Sequence, residues 1–274
     1  TRIIMLRRKG DPSALSILSV AVFVASLLSF RLYYGNATSS ATTVSYISQQ
    51  LAKDIDAALM PRPGFDVLQL MELSGLAVAA AVVEQYPLKK YPKVVAVLGP
   101  GGNGGDGMVA ARHLASMGYE VAAYYPKRNR AAPRGPHGYQ RDEHLLAQAA
   151  MLGVAFITYL PSPSDDTVVL DAIFGFSFHG TPRPPFDAII QDMNKHKHVV
   201  SVDVPSGWDV DNGPAGDKAL RPEVLVSLTL PKRCATAFDG AAHYLGKVFL
   251  PPKIAEKQHL VRPAFVGAEQ VVKL

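Results

Sequence analysis

The apolar positions of this chain repeat with two periods, and the changes between them divide it into elements. Between Ser48 and Met60, Leu51, Ile55, Ala58 and Leu59 recur at helical spacing, and Ser45 or Ser48 stands where a helix cap is expected. Pro61, Pro63 and Gly64 end that helix. Residues 65–84, rich in Leu, Met and Ala, predict a second helix, and Pro87 and Pro92 bracket a short linker after it. Residues 94–98 (VVAVL) are continuously apolar and bounded by glycine, the pattern of a strand buried on both faces of a parallel sheet. A glycine-rich loop at 99–107 follows, then a helix at 108–117 closed by Gly118, then a strand at 120–125. The alternation continues with a helix at 141–151, strands at 154–159 and 167–171, a helix at 184–195, and strands at 198–203 and 223–229. Such alternation predicts an α/β fold with a mostly parallel central sheet covered on both faces. No internal repeat and no second domain boundary are visible after residue 45.

The first forty residues do not share this pattern. Residues 14–30 form an apolar run of 17, preceded by Arg7, Arg8 and Lys9 and followed by Arg31. That is short of the roughly 20 residues a comfortable membrane span needs. Residues 37–45 are small and polar, as in a linker. Residues 1–41 are therefore set apart as a targeting segment and linker, and residues 42–274 are taken as one domain. Basic, serine-containing, acid-poor composition favours a mitochondrial or plastid presequence and leaves room for a cytoplasmic pool. The continuous apolar stretch is what a secretory signal or anchor would show instead.

The net charge of +5 hints at nucleic acid until its distribution is considered. Residues 1–40 carry +4 of it, and the remaining +1 is no electrostatic footprint for a phosphate backbone, so no nucleic-acid partner is expected. Cys234 is the only cysteine, so no intrachain disulfide can form and a reducing compartment is expected.

The chemistry concentrates in three loops. In the first, Gly99, Gly101 and Gly104 satisfy GxGxxG, a weak signal alone. Asn103 and Asp106 lie inside it, and a carboxylate there would repel a pyrophosphate. The following strand ends in Tyr125-Pro126-Lys127-Arg128, without the acidic residue that holds ribose hydroxyls in dehydrogenases. The loop is therefore expected to hold a sugar edge, a ring or a cation. A turn that only packed strand on helix would need glycines but neither Asn nor Asp. The other two loops begin at Asp171 and Asp203, each at the carboxyl end of a predicted parallel strand, where ligands bind in open α/β sheets. One strand-end aspartate is usually a cap or turn former. Here Asn103, Asp106, Asp171, Asp203 and Ser206 would converge on one rim. Their oxygens suit a hard cation, monovalent or magnesium, and a carboxylate in a partly closed pocket can move protons. The alternation of Phe174, Phe176 and Phe178 suits a pocket wall or core packing, and Trp208 packing behind the Asp203 loop.

These segments together resemble one family. Leu70-Met71-Glu72-Leu73-Ser74-Gly75, the 99–107 loop with Ala111-Arg112-His113-Leu114, residues 171–180 and residues 202–208 look like the YjeF N-terminal family, the NAD(P)HX epimerases, also called apolipoprotein A-I-binding proteins in animals. The likeness runs from about Ser45 to the C-terminus and takes in residues 228–232 and 244–246. Residues 175–180 followed by Arg183-Pro184-Pro185-Phe186 look like plant and algal members. The resemblance implies a Rossmann-like three-layer α/β/α sandwich, a homodimer, and an isomerase that interconverts the R and S forms of hydrated NADH or NADPH (NADHX, NADPHX) for metabolite repair, alongside a separate dehydratase. It implies that Gly102, Asn103, Gly104, Gly105, Asp106, Gly175, Phe176, Ser177, Phe178, His179, Gly180, Thr181 and Asp203 contact the nucleotide. It implies one potassium ion (K+) per subunit, on Asn103, Asp171 and Ser206. Inverting C6 of the nicotinamide ring requires proton transfer beside its hydroxyl; Asp203 is the first candidate, with Asp106 orienting ring or ribose. Gly102 departs from the many members that carry a second asparagine there, which removes a side-chain contact. Glu72 matches a motif position near the pocket. A non-enzymatic nucleotide-binding or scaffold module on the same fold is the alternative; an ordinary NAD(P) oxidoreductase is disfavoured by Asp106 and by the basic end of the second strand.

Overall fold

A computed structural model describes residues 43–60, 64–128, 141–216 and 218–274. The expected targeting segment lies outside the described residues. Strand β1 (Lys93–Leu98) lies between β2 (Glu120–Tyr124) and β4 (Thr167–Ala172), parallel to both, with Val97 opposite Tyr124 on one side and Asp171 on the other. The sheet extends through β3 (Ala155–Ile157) at one edge and through β5 (Val199–Val202), β6 (Val224–Leu228), β7 (Ala242–Gly246) and β8 (Val271–Lys273) towards the other. The order is β3-β2-β1-β4-β5-β6-β7-β8, and β8 is antiparallel to β7. The order in which strands are added reverses between β1 and β4, so the connections leaving their carboxyl ends pass to opposite faces of the sheet and open a crevice there.

The buried strands alternate between two apolar layers. Val94, Ala96, Leu98, Val168, Leu170 and Ala172 face a cluster that includes α2 (Val67–Gln85) and α3 (Gly102–Ser116). Val97 and Val169 face α5 (Phe186–Met193) through Phe186, Ile189, Ile190 and Met193. This produces the expected three layers, because the two-residue period sends successive side chains to opposite faces. α2 is long and apolar enough to cross a membrane, but here half of it is buried, with Met71, Val78, Ala79, Ala81 and Val82 packed against α3 and the sheet. Asp66 caps it, and Gln69 Oε1 accepts from Asp66 N at 2.8 Å, completing a capping box. The two helices cross so closely that a Cβ on Gly75 would stand 2.4 Å from Val109 Cγ1. α4 (Arg141–Met151) packs on α3.

The structure corrects the element list in two ways. Strands β7 and β8 and the short helix α6 (Pro252–Lys257) were not anticipated. Ala-His-Tyr-Leu-Gly in β7 has no continuous apolar run, and the strand is held by parallel pairing with β6. The strand expected over 154–159 shrinks to three residues at the sheet edge.

The first helix, α1 (Gln49–Leu59), is capped by Ser48, whose Oγ accepts from Leu51 N at 3.2 Å. It crosses the carboxyl edge of the sheet. Ala52, Ile55 and Leu59 pack with Leu70 and Leu230, and Ile47 forms a parallel bridge to Lys232.

Candidate active site

The glycine loop is mostly helix. α3 begins at Gly102, six residues before the expected start, so residues 102–107 form its first turns. Steric closeness explains the glycines. A Cβ on Gly99 would lie 1.9 Å from Ile173 O, one on Gly104 1.9 Å from Gly99 O, and one on Gly107 2.2 Å from the Ala172 Cβ. The N-terminus of α3 thereby seats directly on the end of β4. Gly102 is different: its nearest neighbour would be Met71 Cε at 3.9 Å, so a side chain fits there. Glycine at this position therefore removes a contact without being required by the fold.

Asp171 is fully buried under this junction. Its carboxylate accepts from Ser201 Oγ (2.8 Å), Ser206 Oγ (2.5 Å), Ser206 N (2.9 Å) and Ile173 N (3.3 Å). Burial pushes this carboxyl up, and the bonds from Ser206, Ser201 and Ile173 oppose that rise. Ser206 Oγ also accepts from Phe174 N at 3.0 Å. Buried Asn103 donates from Nδ2 to Phe174 O (2.9 Å) and Val202 O (3.2 Å), which leaves Oδ1 as its acceptor. A Cβ on Gly175 would stand 3.1 Å from Asn103 Oδ1 and 3.2 Å from Asp203 Oδ2, so both oxygens converge on that glycine.

Asp203 follows β5 with φ at 66°, a left-handed conformation. Its Oδ2 accepts from Phe176 N at 3.0 Å, and its Oδ1 is paired with the Lys232 ammonium. Lys232 donates as well to Leu228 O (3.0 Å) and Leu230 O (3.3 Å), and both charged side chains are buried. Reading the sequence assigned Lys232 no role; the available signal was a lysine just past the carboxyl end of β6.

These groups border a cavity of about 460 Å³. Of the residues expected at the site, Gly102, Asn103, Asp106, Gly175, Phe176, Ser177 and Asp203 line it. Gly104 and Gly105 are buried within α3, and Asp171 and Ser206 lie off the wall in the hydrogen-bonded cluster just described. Phe178, His179, Gly180 and Thr181 stand off the wall, the last three exposed. Phe178 stacks on Phe174 at 4.3 Å, so two of the three phenylalanines pack together and Phe176 alone faces the cavity. Trp208 is buried, with Nε1 donating to Leu220 O at 2.8 Å. Glu72 turns away to bind Arg112 and His113, tying α2 to α3.

The cavity also takes in Lys53, Asp56, Arg141 and Lys232, none anticipated as site residues. Burial, then the charges of Asp203 and Asp56, hold the Asp106 carboxyl well above the usual range. Asp56 is raised chiefly by burial, against the pull of Lys232. Arg141 Nη2 is fixed on Asp142 at 2.8 Å, and Tyr125 Oη donates to the same carboxylate at 2.6 Å.

The family model for the YjeF-related protein N-terminus matches residues 67–234, from the start of α2 to just past Lys232. This chain belongs to the YjeF-related N-terminal family. It is 43% identical over 237 residues to an NAD(P)H-hydrate epimerase of Puccinia graminis f. sp. tritici, covering 85% of this chain and 95% of that protein. It is 44% identical over 250 residues to the chloroplastic pyridoxine/pyridoxamine 5'-phosphate oxidase 1 of Arabidopsis thaliana, covering 86% of this chain. The chain spans 46% of that longer relative. The crystal structure of the yeast protein ynu0, YNL200c, superposes with a TM-score of 0.76 at 38% identity, over 84% of this chain and 100% of the yeast one. The parallel sheet and its flanking helices are thus the family's fold, and α1 with Asp56 precedes the span the YjeF-related model matches.

Proposed function

We propose that this chain is an NAD(P)H-hydrate epimerase, an isomerase acting on C6 of the hydrated nicotinamide ring. The likeness to the fungal epimerase supports it over nearly that protein's whole length, whereas under half of the oxidase is matched. The observation that carries the reading is the cavity at the β1/β4 divergence, where Asp203 is held by Phe176 N and Lys232.

The C6 hydroxyl sits beside the ring nitrogen, whose lone pair expels it once the oxygen is protonated. Water returns to the opposite face and loses a proton, so atoms balance and no electrons are exchanged. This needs one proton donor and one acceptor in a cavity closed to bulk water. Asp203 is the acceptor. Its fixed hydrogen bonds aim the carboxylate, and Lys232 compensates its charge on burial. Asp106, with its raised carboxyl, is suited to donate.

Potassium fits the buried junction. Asn103 Oδ1, the Asp171 carboxylate and Ser206 Oγ are hard oxygen donors carrying a single formal charge, with the Phe174 and Val202 carbonyls beside them. Among the described residues no group of three or more His, Cys, Asp or Glu forms a metal site. Bound there, the ion would neutralise Asp171 and tie together the loops that carry Gly175 and Asp203. The reading further includes a homodimer, a separate dehydratase that consumes one epimer, and an organelle presequence in residues 1–41. The chloroplastic relative favours the plastid over the mitochondrion.

The test follows R and S NADHX by chromatography, in potassium and in lithium buffer. Catalysed equilibration, faster in potassium, is expected. Asp203→Asn should slow it by about 10²- to 10⁴-fold with the fold retained. A folded protein that binds the nucleotide without accelerating its epimerisation would overturn the reading in favour of a binding module.

A further inference from the structure

Asp56 lies on α1, ahead of the span the family model matches, yet it borders the same cavity as Asp106, Asp203 and Lys232. The helix that carries it is fixed to both site loops. Arg233 N donates to Ile47 O at 2.9 Å, and Gln49 N donates to Asp211 Oδ1 at 2.9 Å. Gln49 Nε2 reaches the Phe176 and Phe178 carbonyls, each at 2.7 Å. Ala52, Ile55 and Leu59 are buried beneath it. Asp56 is therefore held in the wall by the same loops that place Gly175 and Asp203.

Two of the three cations on the wall are already engaged. Lys232 is shared among Asp203, Leu228 O and Leu230 O, and Arg141 is fixed on Asp142. Among the described residues, neither Asp56 nor Asp106 has a hydrogen-bond donor. Both side chains are half-buried on the cavity wall, so their oxygens open into the cavity, and Asp56 is an acceptor free to take a ligand group. Burial raises both carboxyls, which agrees with that lack. The Asp56 and Asp203 carboxylates also repel a diphosphate. The hydrated nicotinamide riboside end of the substrate is instead rich in donors: its carboxamide, its C6 hydroxyl and its ribose hydroxyls.

We propose that Asp56 contacts the substrate, accepting hydrogen bonds from the hydrated ring and its ribose beside the proton donor Asp106, so that α1 forms the roof of the active site. This rests on the epimerase reading and adds a residue to it.

The experiment compares the full wild-type chain with Asp56→Asn and Asp56→Glu. Asp56→Asn should raise KM for NADHX about ten- to a hundredfold, the loss of one hydrogen bond to a charged group, with kcat less affected and an unchanged melting temperature. Asp56→Glu should recover part of the loss. A purely structural role would lower the melting temperature and leave KM of the folded enzyme in place. Unchanged KM in folded Asp56→Asn overturns the proposal. If Asp56→Asn does not fold, Asp56→Ser makes the same comparison. Should the wild type bind NADHX without turnover, the epimerase reading fails separately. Calorimetric titration with NADHX then decides this one: weaker binding to Asp56→Asn supports it, and equal binding sinks it.

Discussion

At Asp203 the backbone adopts a conformation that costs a residue with a Cβ roughly 1–2 kcal/mol. Its bonds to Phe176 N and Lys232 offset that cost, and the turn puts the carboxylate on the cavity wall. Asp106 pays in another way, through burial beside Asp203 and Asp56. Its carboxyl is raised in the folded state, so the fold holds that proton more tightly than the unfolded chain does. Stability is then fullest in acid and falls as pH rises from the ordinary aspartate range through the raised value. Asp106→Asn should therefore melt at a higher temperature than wild type at neutral pH, the difference fading near pH 4; melting curves across that range check it. A neutral-pH melting point at or below wild type would contradict the assignment. Asn103, Asp106, Asp171, Asp203 and Ser206 could be picked out in the sequence because each stands at the end of a predictable strand or in the loop that follows one. Asp56 and Lys232 could not, since an Asp on a polar helix face and a Lys after a strand look solvated until α1 is laid over the sheet edge.

Among the elements, α3 shows how tertiary contact overrides local propensity. Six residues of its start were expected to be loop because glycine disfavours helix. The chain is helical there because residues 99, 104 and 107 must approach Ile173, Gly99 and Ala172 more closely than a Cβ permits. Gly104→Ala should cost about 1–3 kcal/mol or more in denaturant unfolding, because the atom it strikes is backbone. Gly102→Ala, in open space one position into the helix, should be neutral or stabilising by up to about 1 kcal/mol. Equal effects at the two positions would refute the packing account. The element list failed where pairing alone defines a strand: β7 and β8 carry little periodic signal and exist by hydrogen bonding to their neighbours.

For the molecule as a whole, the site arises from connection order. β1 and β4 are separated by almost seventy residues of chain, yet their loops meet because β4 pairs with β1. The proposed plastid address is also a property of the whole chain. Residues 1–41 fused ahead of a fluorescent protein should direct it into chloroplasts of plant cells, and retention in the secretory route would refute that. Alternating buried runs, glycine punctuation and strand-end aspartates are local features, and they sufficed to determine the α/β class, the three site loops and the family likeness. The roof helix, the Asp203–Lys232 pair and the division of the phenylalanines between packing and cavity were decided only in three dimensions. Each depends on which distant segments lie side by side, and no periodicity within a segment records that.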